Sequence, residues 1–132
     1  MPYSITLDVV PVAKGRPRLG NGRAFTPAKT RLAEAEIRKQ IEAQPHPTYE
    51  GPVGVILKFY LPRPKKPKHL LPIVRPDLDN YAKLVLDAVN GILWEDDSQV
   101  VGLKCAKLYV TGTDKPCTEI EIHSFADMQG GF

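Results

Sequence analysis

The chain has 132 residues, 42% hydrophobic and 25% charged, which is ordinary for one globular domain with a modest core. No apolar run approaches the roughly 20 residues that span a bilayer, and the N-terminal sequence lacks a signal-peptide pattern, so we expect a cytoplasmic protein that does not cross a membrane. The net charge of +3 hides an asymmetry: residues 1–76 carry 14 Lys/Arg and 5 Asp/Glu, whereas residues 77–132 carry 4 and 10. A basic half favours a polyanionic partner, and an acidic cluster beside it favours divalent cations.

The N-terminal segment predicts a strand followed by a basic loop. Residues 3–12 are mostly β-branched and apolar, and Pro11 indicates the end of the strand or an edge position in a sheet. Residues 14–26 are rich in Gly, Pro and Arg, and Asn21-Gly22 is typical of a turn.

A helix and a second strand follow this loop. Thr26 as the N-cap and Pro27 in the first helical position predict a helix that runs to about Ala43. Apolar residues recur within it at helical spacing, and two prolines after it forbid continuation. Residues 53–61 form an apolar run that predicts the second strand.

The second half begins with an extended loop and continues with a helix and two strands. Residues 62–76 contain five prolines and five Lys/Arg, which predicts an extended or mobile loop. A helix is predicted for residues 79–90, and residues 100–110 and 118–124 alternate as strands do. The resulting fold class is α+β: a single small domain over residues 1–132, with about four strands in a mixed sheet and two helices packed on it.

Acidic residues are concentrated around the second helix. Asp77 and Asp79 bracket its start, and Asp79, Lys83 and Asp87 share one face because they are spaced by four. Residues 95–97 add three carboxylates just before a strand. Helix capping, a surface ion-pair ladder and a solvated turn would each account for part of this pattern.

The short connection between the two acidic groups favours a metal site, because clustered carboxylates repel one another and a divalent cation relieves that repulsion. Carboxylate oxygens prefer Mg²⁺ to Zn²⁺. The three histidines are scattered, and Cys105 and Cys117 lack the spacing of a zinc site, so we expect two reduced thiols.

The block from residue 77 to residue 101 resembles the RusA family of Holliday junction resolvases, which prophages commonly carry. It has the form D-L-D-N-x-x-K-x-x-x-D-A-V followed by W-x-D-D-x-Q-V-V. The residues that carry the resemblance are Asp77, Leu78, Asp79, Asn80, Lys83, Asp87, Ala88, Val89, Trp94, Asp96, Asp97, Gln99, Val100 and Val101. A weaker match is the strand that leads into a basic loop near the N-terminus.

The resemblance implies a homodimeric endonuclease that uses magnesium, or manganese as a substitute, to make paired nicks in four-way DNA junctions during recombination and repair. It implies that Asp77, Asp79 and Asp97 bind the metal and that Lys83 is a catalytic residue. The segment before Trp94 is one residue shorter than in a familiar member, so Asp96 and Asp97 could exchange roles. Asp87 could orient Lys83.

Basic residues on the two loops are the predicted DNA contacts, since Lys and Arg side chains pair with phosphate oxygens. Arg75 is the strongest candidate because it lies two residues before Asp77. The predicted contacts are Lys14, Arg16, Arg18 and Arg23 on the first loop, and Lys65, Lys66 and Arg75 on the second. The second loop could alternatively bind a protein partner.

Two other functions remain open at the level of sequence: a nuclease that prefers flaps or forks, and a non-catalytic module that binds branched DNA. Leu84, Leu86 and Trp94 could form a dimer interface, although a role in the core is more common for such residues.

Overall fold

A computed structural model describes residues 2–15, 18–20, 23–25 and 27–129, with residues 18–20 and 23–25 described by their backbone alone. The strands are β1 (Tyr3–Leu7), β2 (Arg18–Gly20), β3 (Arg23–Phe25), β4 (Val53–Leu61), β5 (Val100–Tyr109) and β6 (Cys117–Ser124). The helices are α1 (Ala28–Glu42), α2 (Leu78–Val89) and the short α3 (Phe125–Met128), and a 3₁₀ turn covers Asp97–Gln99.

The central sheet has four strands in the order β1-β6-β4-β5. Strand β6 is antiparallel to both β1 and β4, whereas β4 and β5 are parallel. A parallel pair needs a crossover connection, and here that connection contains α2. Strands β2 and β3 form a separate antiparallel hairpin.

Helices α1 and α2 cover one face of the sheet. The inward side chains of the strands and the apolar stripes of both helices form one buried cluster, with Phe59 of β4 packed 5.4 Å, ring to ring, from Tyr81 of α2. Lys58 and Lys104 are exposed on the opposite face, because they alternate with inward residues along β4 and β5. The site described below therefore lies on the helical side.

The predicted α+β class and four-stranded mixed sheet are confirmed. Strand β4 has the predicted bounds, and α2, β5 and β6 each begin and end within one residue of the prediction. Leu84 and Trp94, considered for a dimer interface, are buried in the core at 1% and 0% exposure. None of the described helices is long and apolar enough to cross a bilayer.

Two predicted boundaries were wrong. Strand β1 ends at Leu7 rather than near Pro11, because the backbone N–H and C=O of Asp8 pair with the side chain of Gln40 on α1. Pro27 is the N-cap residue of α1 rather than its first helical residue, and Thr26 lies outside the described residues. The predicted turn at Asn21-Gly22 also lies outside them, and strands β2 and β3 flank it.

Candidate active site

Helix α2 presents a polar face to solvent because its other faces are buried. Tyr81, Val85 and Val89 pack into the core, which leaves Asp79, Lys83 and Asp87 along the opposite side. Asp77 occupies the N-cap position, but its side chain makes no capping hydrogen bond. The capping alternative therefore does not account for Asp77.

An open cleft of about 610 Å³ lies between α2 and the beginning of β5. Its lining residues are Leu78, Asp79, Ala82, Lys83, Leu86, Asp87, Asp97, Val100, Leu103 and Cys105. The structure thus brings Asp79, Lys83 and Asp97 together on one surface, which Asp77 does not line. Burial raises the pKa of the Cys105 thiol, so this cysteine is a neutral part of the wall, and both cysteines are free.

Asp96 and Asp97 have different surroundings in the structure. The Asp96 carboxylate accepts a hydrogen bond from the backbone N–H of Ser98 at 3.0 Å and caps the 3₁₀ turn. Hydrogen bonds from Ser98 hold its pKa below the usual value. Asp97 lines the cleft instead, and its Oδ1 accepts a hydrogen bond from Trp94 Nε1 at 2.8 Å.

Asp77 lies in a neighbouring hollow of about 440 Å³, which Arg75 and Lys107 also line. The Lys107 ammonium donates to the carbonyl oxygens of Val74 at 2.6 Å and Pro76 at 3.1 Å. Strand β5 thereby holds the end of the second loop, residues 62–76 and called the Pro-rich loop below, where it leads into α2.

The donor chemistry of the site fits magnesium. The side chains available are carboxylates, and Mg²⁺ is commonly held by one or two carboxylates together with water and substrate phosphate. Asp79 and Asp97 on the cleft supply such a pair. Within the described ranges no group of three or more His, Cys, Asp or Glu side chains is already gathered around a metal position, so a third protein ligand is not preassembled.

An ion-pair network connects the polar face of α2 to Lys14 and to α1. Lys14 Nζ lies 3.0 Å from Glu34 of α1 and 3.1 Å from Asp87 of α2, and the same Asp87 oxygen lies 3.6 Å from Lys83 Nζ. Burial alone would lower the pKa of Lys14, but the hydrogen bonds and charges of Glu34 and Asp87 raise it above the ordinary value. The Lys14 ammonium therefore pairs with Asp87, and Asp87 is the neighbour of Lys83.

Residues 8–123 match the family model described as endodeoxyribonuclease RusA. The chain belongs to the RusA family. The uncharacterized protein YqaN of Bacillus subtilis (strain 168) is 36% identical over 129 residues, covering 85% of this chain and 89% of that protein. The matched range contains every residue of the cleft, and family membership supports nuclease activity.

Both basic segments of this RusA-family chain reach the first turn of α2. The backbone N–H of Lys14 donates to Asn80 O at 2.9 Å, and that of Gly15 donates to Thr30 Oγ1 at 3.0 Å. A Cβ on Gly15 would lie 2.9 Å from Pro27 and from Thr30, so only glycine fits this close approach to α1. The β2–β3 hairpin begins just after this anchored point, and the Pro-rich loop runs directly into Asp77.

The predicted DNA contacts of this RusA-family chain differ in how far their side chains are exposed to solvent. Lys65, Lys66 and Arg75 are exposed. Lys14 is turned inward, with 22% of its side chain exposed and both partners anionic. Arg16 lies outside the described residues, and only the backbone of Arg18 and Arg23 is described.

Sequence reasoning gave no role to Glu34 or Gln99. The Gln99 carboxamide accepts from the backbone N–H groups of Glu95 and Asp96 and donates to the carbonyls of Tyr49 and Gly51. It thereby joins the turn that carries the cleft carboxylate to the chain before β4. The W-x-D-D-x-Q pattern is the sequence signal for this arrangement.

Proposed function

We propose that this chain is a magnesium-dependent crossover junction endodeoxyribonuclease, which resolves four-way DNA junctions by paired symmetric nicks. The observation that carries the proposal is the cleft on which Asp79, Lys83 and Asp97 meet in a RusA-family chain. Asp77, Asp79 and Asp97 are the proposed metal ligands, with Mn²⁺ as a substitute for Mg²⁺.

Phosphodiester hydrolysis needs a water nucleophile, charge stabilisation at phosphorus and help for the departing oxygen. A bound magnesium ion supplies Lewis-acid contact with the phosphate and activation of water. Asp97 suits a ligand role because only its Oδ1 has a hydrogen-bond partner in the described part of the chain. Asp79 reaches the same cleft from the first turn of α2.

Lys83 is the proposed catalytic cation. Its side chain is 64% exposed, and its ammonium lies at 3.6 Å from Asp87, beyond ordinary hydrogen-bond distance. It can therefore turn to a phosphate oxygen while Asp87, fixed by Lys14, limits the range of its motion. In this role Lys83 binds the scissile phosphate and offsets its developing charge.

The DNA backbone is proposed to cross the start of α2, where the two basic segments flank the acidic cleft. Lys65, Lys66 and Arg75 on the Pro-rich loop, and Arg16, Arg18 and Arg23 on the hairpin side, are the proposed phosphate contacts. Their positive charge also offsets the repulsion between the cleft carboxylates and DNA.

Replacing Lys65 and Lys66 together by glutamine is expected to weaken binding to all four-way junctions alike. Binding releases fewer counterions from the DNA when a phosphate contact is lost. The plot of log affinity against log salt concentration therefore becomes less steep by about 0.9 per lost contact. Fluorescence anisotropy with a labelled junction, measured over a series of salt concentrations, gives both quantities.

The matched control is Lys58→Gln with Lys104→Gln, which makes the same change of charge on the opposite face of the sheet. We expect wild-type affinity and slope for that pair. A loss in the control pair with none in the loop pair would place DNA on the other face and overturn the proposed path.

The activity itself is tested with purified protein on a four-way junction, a flap, a fork and linear duplex, each with and without Mg²⁺. Junction cleavage that requires the metal and exceeds cleavage of the other substrates is the expected result. Faster cutting of the flap or fork would identify a nuclease for those structures. Tight junction binding without cleavage would identify a non-catalytic binding module.

The working unit is proposed to be a homodimer. A four-way junction is cut at two symmetry-related strands, and one chain contributes a single cleft of this kind among the described residues. Two copies related by a two-fold axis bring one cleft to each strand.

A further inference from the structure

The protein contains one tryptophan, and this residue joins the core to the cleft. Trp94 is fully buried, at 0% exposure. Its ring is a large apolar side chain, but its indole N–H is a donor that needs a partner when buried. That partner is Asp97 Oδ1 at 2.8 Å, so the polar end of a core residue contacts a carboxylate on the cleft.

The position of Trp94 is fixed by backbone contacts as well as by burial. Its carbonyl accepts a hydrogen bond from Gly91 N at 2.8 Å, and Gly91 has a positive φ of 83°, a conformation that glycine adopts at no steric cost. Trp94 also bridges to Tyr49 in a parallel β-bridge. The indole is therefore a rigid donor rather than a mobile one.

A rigid donor on one carboxylate oxygen decides where the other oxygen lies. With Oδ1 of Asp97 held by the indole, rotation about the last side-chain bond is restricted, and Oδ2 makes no hydrogen bond to the described residues and can bind a ligand on the cleft that Asp97 lines. Partners that orient metal ligands in this way commonly change metal affinity or activity by about 10–100-fold when they are removed.

We propose that Trp94 is a positioning residue that holds Asp97 ready for the divalent cation and that its indole N–H senses occupation of the site. This inference rests on the proposed function, in which Asp97 is a metal ligand. Trp94 itself touches neither cation nor DNA in this role.

The first experiment follows the indole N–H resonance of the wild-type protein by NMR, which is a single signal because there is one tryptophan. Added Mn²⁺ alone, without DNA, is expected to broaden this signal in a saturable way. Asp97→Asn keeps an oxygen that can accept from the indole but removes the charge, so the saturable broadening should disappear. Asp96→Asn, the matched control on the adjacent capping residue, should broaden as the wild type does.

The second experiment removes the donor while keeping the ring volume. Replacement of Trp94 by 3-benzothienylalanine puts sulfur in place of the N–H, and Trp94→Phe removes the same donor but leaves a smaller ring. We expect the Mg²⁺ concentration for half-maximal junction cleavage to rise by about 10–100-fold, with the rate at saturating Mg²⁺ largely recovered. A role in packing alone would lower the melting temperature and leave the Mg²⁺ dependence unchanged.

The inference is overturned if the wild type shows no saturable broadening, or if the folded benzothienyl variant has an unchanged Mg²⁺ dependence. Junction cleavage by the wild type would still support the proposed function in either case. Conversely, a wild type that cuts no branched DNA with Mg²⁺ refutes the proposed function. In that case saturable Mn²⁺ broadening that requires Asp97 would still support Trp94 as a partner of a cation site.

Discussion

Replacing Asp79 or Asp97 by asparagine is expected to lower the rate of junction cleavage by about 10³-fold or more, because losing a ligand removes several kcal/mol of transition-state stabilisation. Binding to the junction should be unchanged or tighter, since a negative charge beside the phosphate has gone. Single-turnover cleavage and anisotropy on the same preparations separate these two effects. Asp77→Asn is expected to behave in the same way.

Asp96→Asn is the internal control, because Asp96 caps the 3₁₀ turn and does not line the cleft. Asparagine also caps well, so we expect a small defect. Wild-type turnover in a folded Asp77, Asp79 or Asp97 variant would remove that residue from the ligand set. An inactive Asp96→Asn beside an active Asp97→Asn would show that the two residues exchange roles.

Heterodimers of wild-type and Asp79→Asn subunits are expected to nick one strand of a junction and rarely to resolve it in a single binding event. Each subunit contributes one cleft, so one inactive cleft removes one of the two cuts. A supercoiled plasmid with an extruded cruciform gives a direct measurement, because one nick yields open circles and paired nicks yield linear DNA. Two different affinity tags allow the mixed species to be isolated.

Wild-type subunits that carry the same two tags are the control and should give mainly linear product. The paired-cut mechanism is wrong if the mixed species linearises the plasmid as efficiently as this control. It is also wrong if the active protein sediments as a monomer. A nuclease for flaps or forks would then be the better proposal.

The fold was largely predictable where a local pattern determines the element. Strand β4 is apolar except at Lys58 and is mostly buried between its neighbours, and α2 has an apolar stripe at helical spacing. The end of β1 was not predictable, because Gln40 lies 32 positions away and takes the backbone groups of Asp8. The β2–β3 hairpin was missed because its strands have only three residues each.

The candidate site was also predictable where a local pattern determines it, and not where it depends on contacts between distant residues. The shared face of Asp79, Lys83 and Asp87 follows from helical spacing, whereas the different surroundings of Asp96 and Asp97 depend on tertiary contacts such as the indole N–H of Trp94 on Asp97. Lys14 looked like a DNA contact because it begins a basic loop. Its partners Glu34 and Asp87 are 20 and 73 positions away, and no local pattern indicates that pairing.

The order of the strands has a consequence for synthesis of the protein. The last of the described strands, β6, lies between β1 and β4 in the sheet, so β1 has no strand partner until residues 117–124 have left the ribosome. Pairings of such high sequence separation also form slowly. We therefore expect a nascent chain to lack a closed four-stranded sheet until β6 has emerged, which delays stable packing of the core on which the candidate site is built.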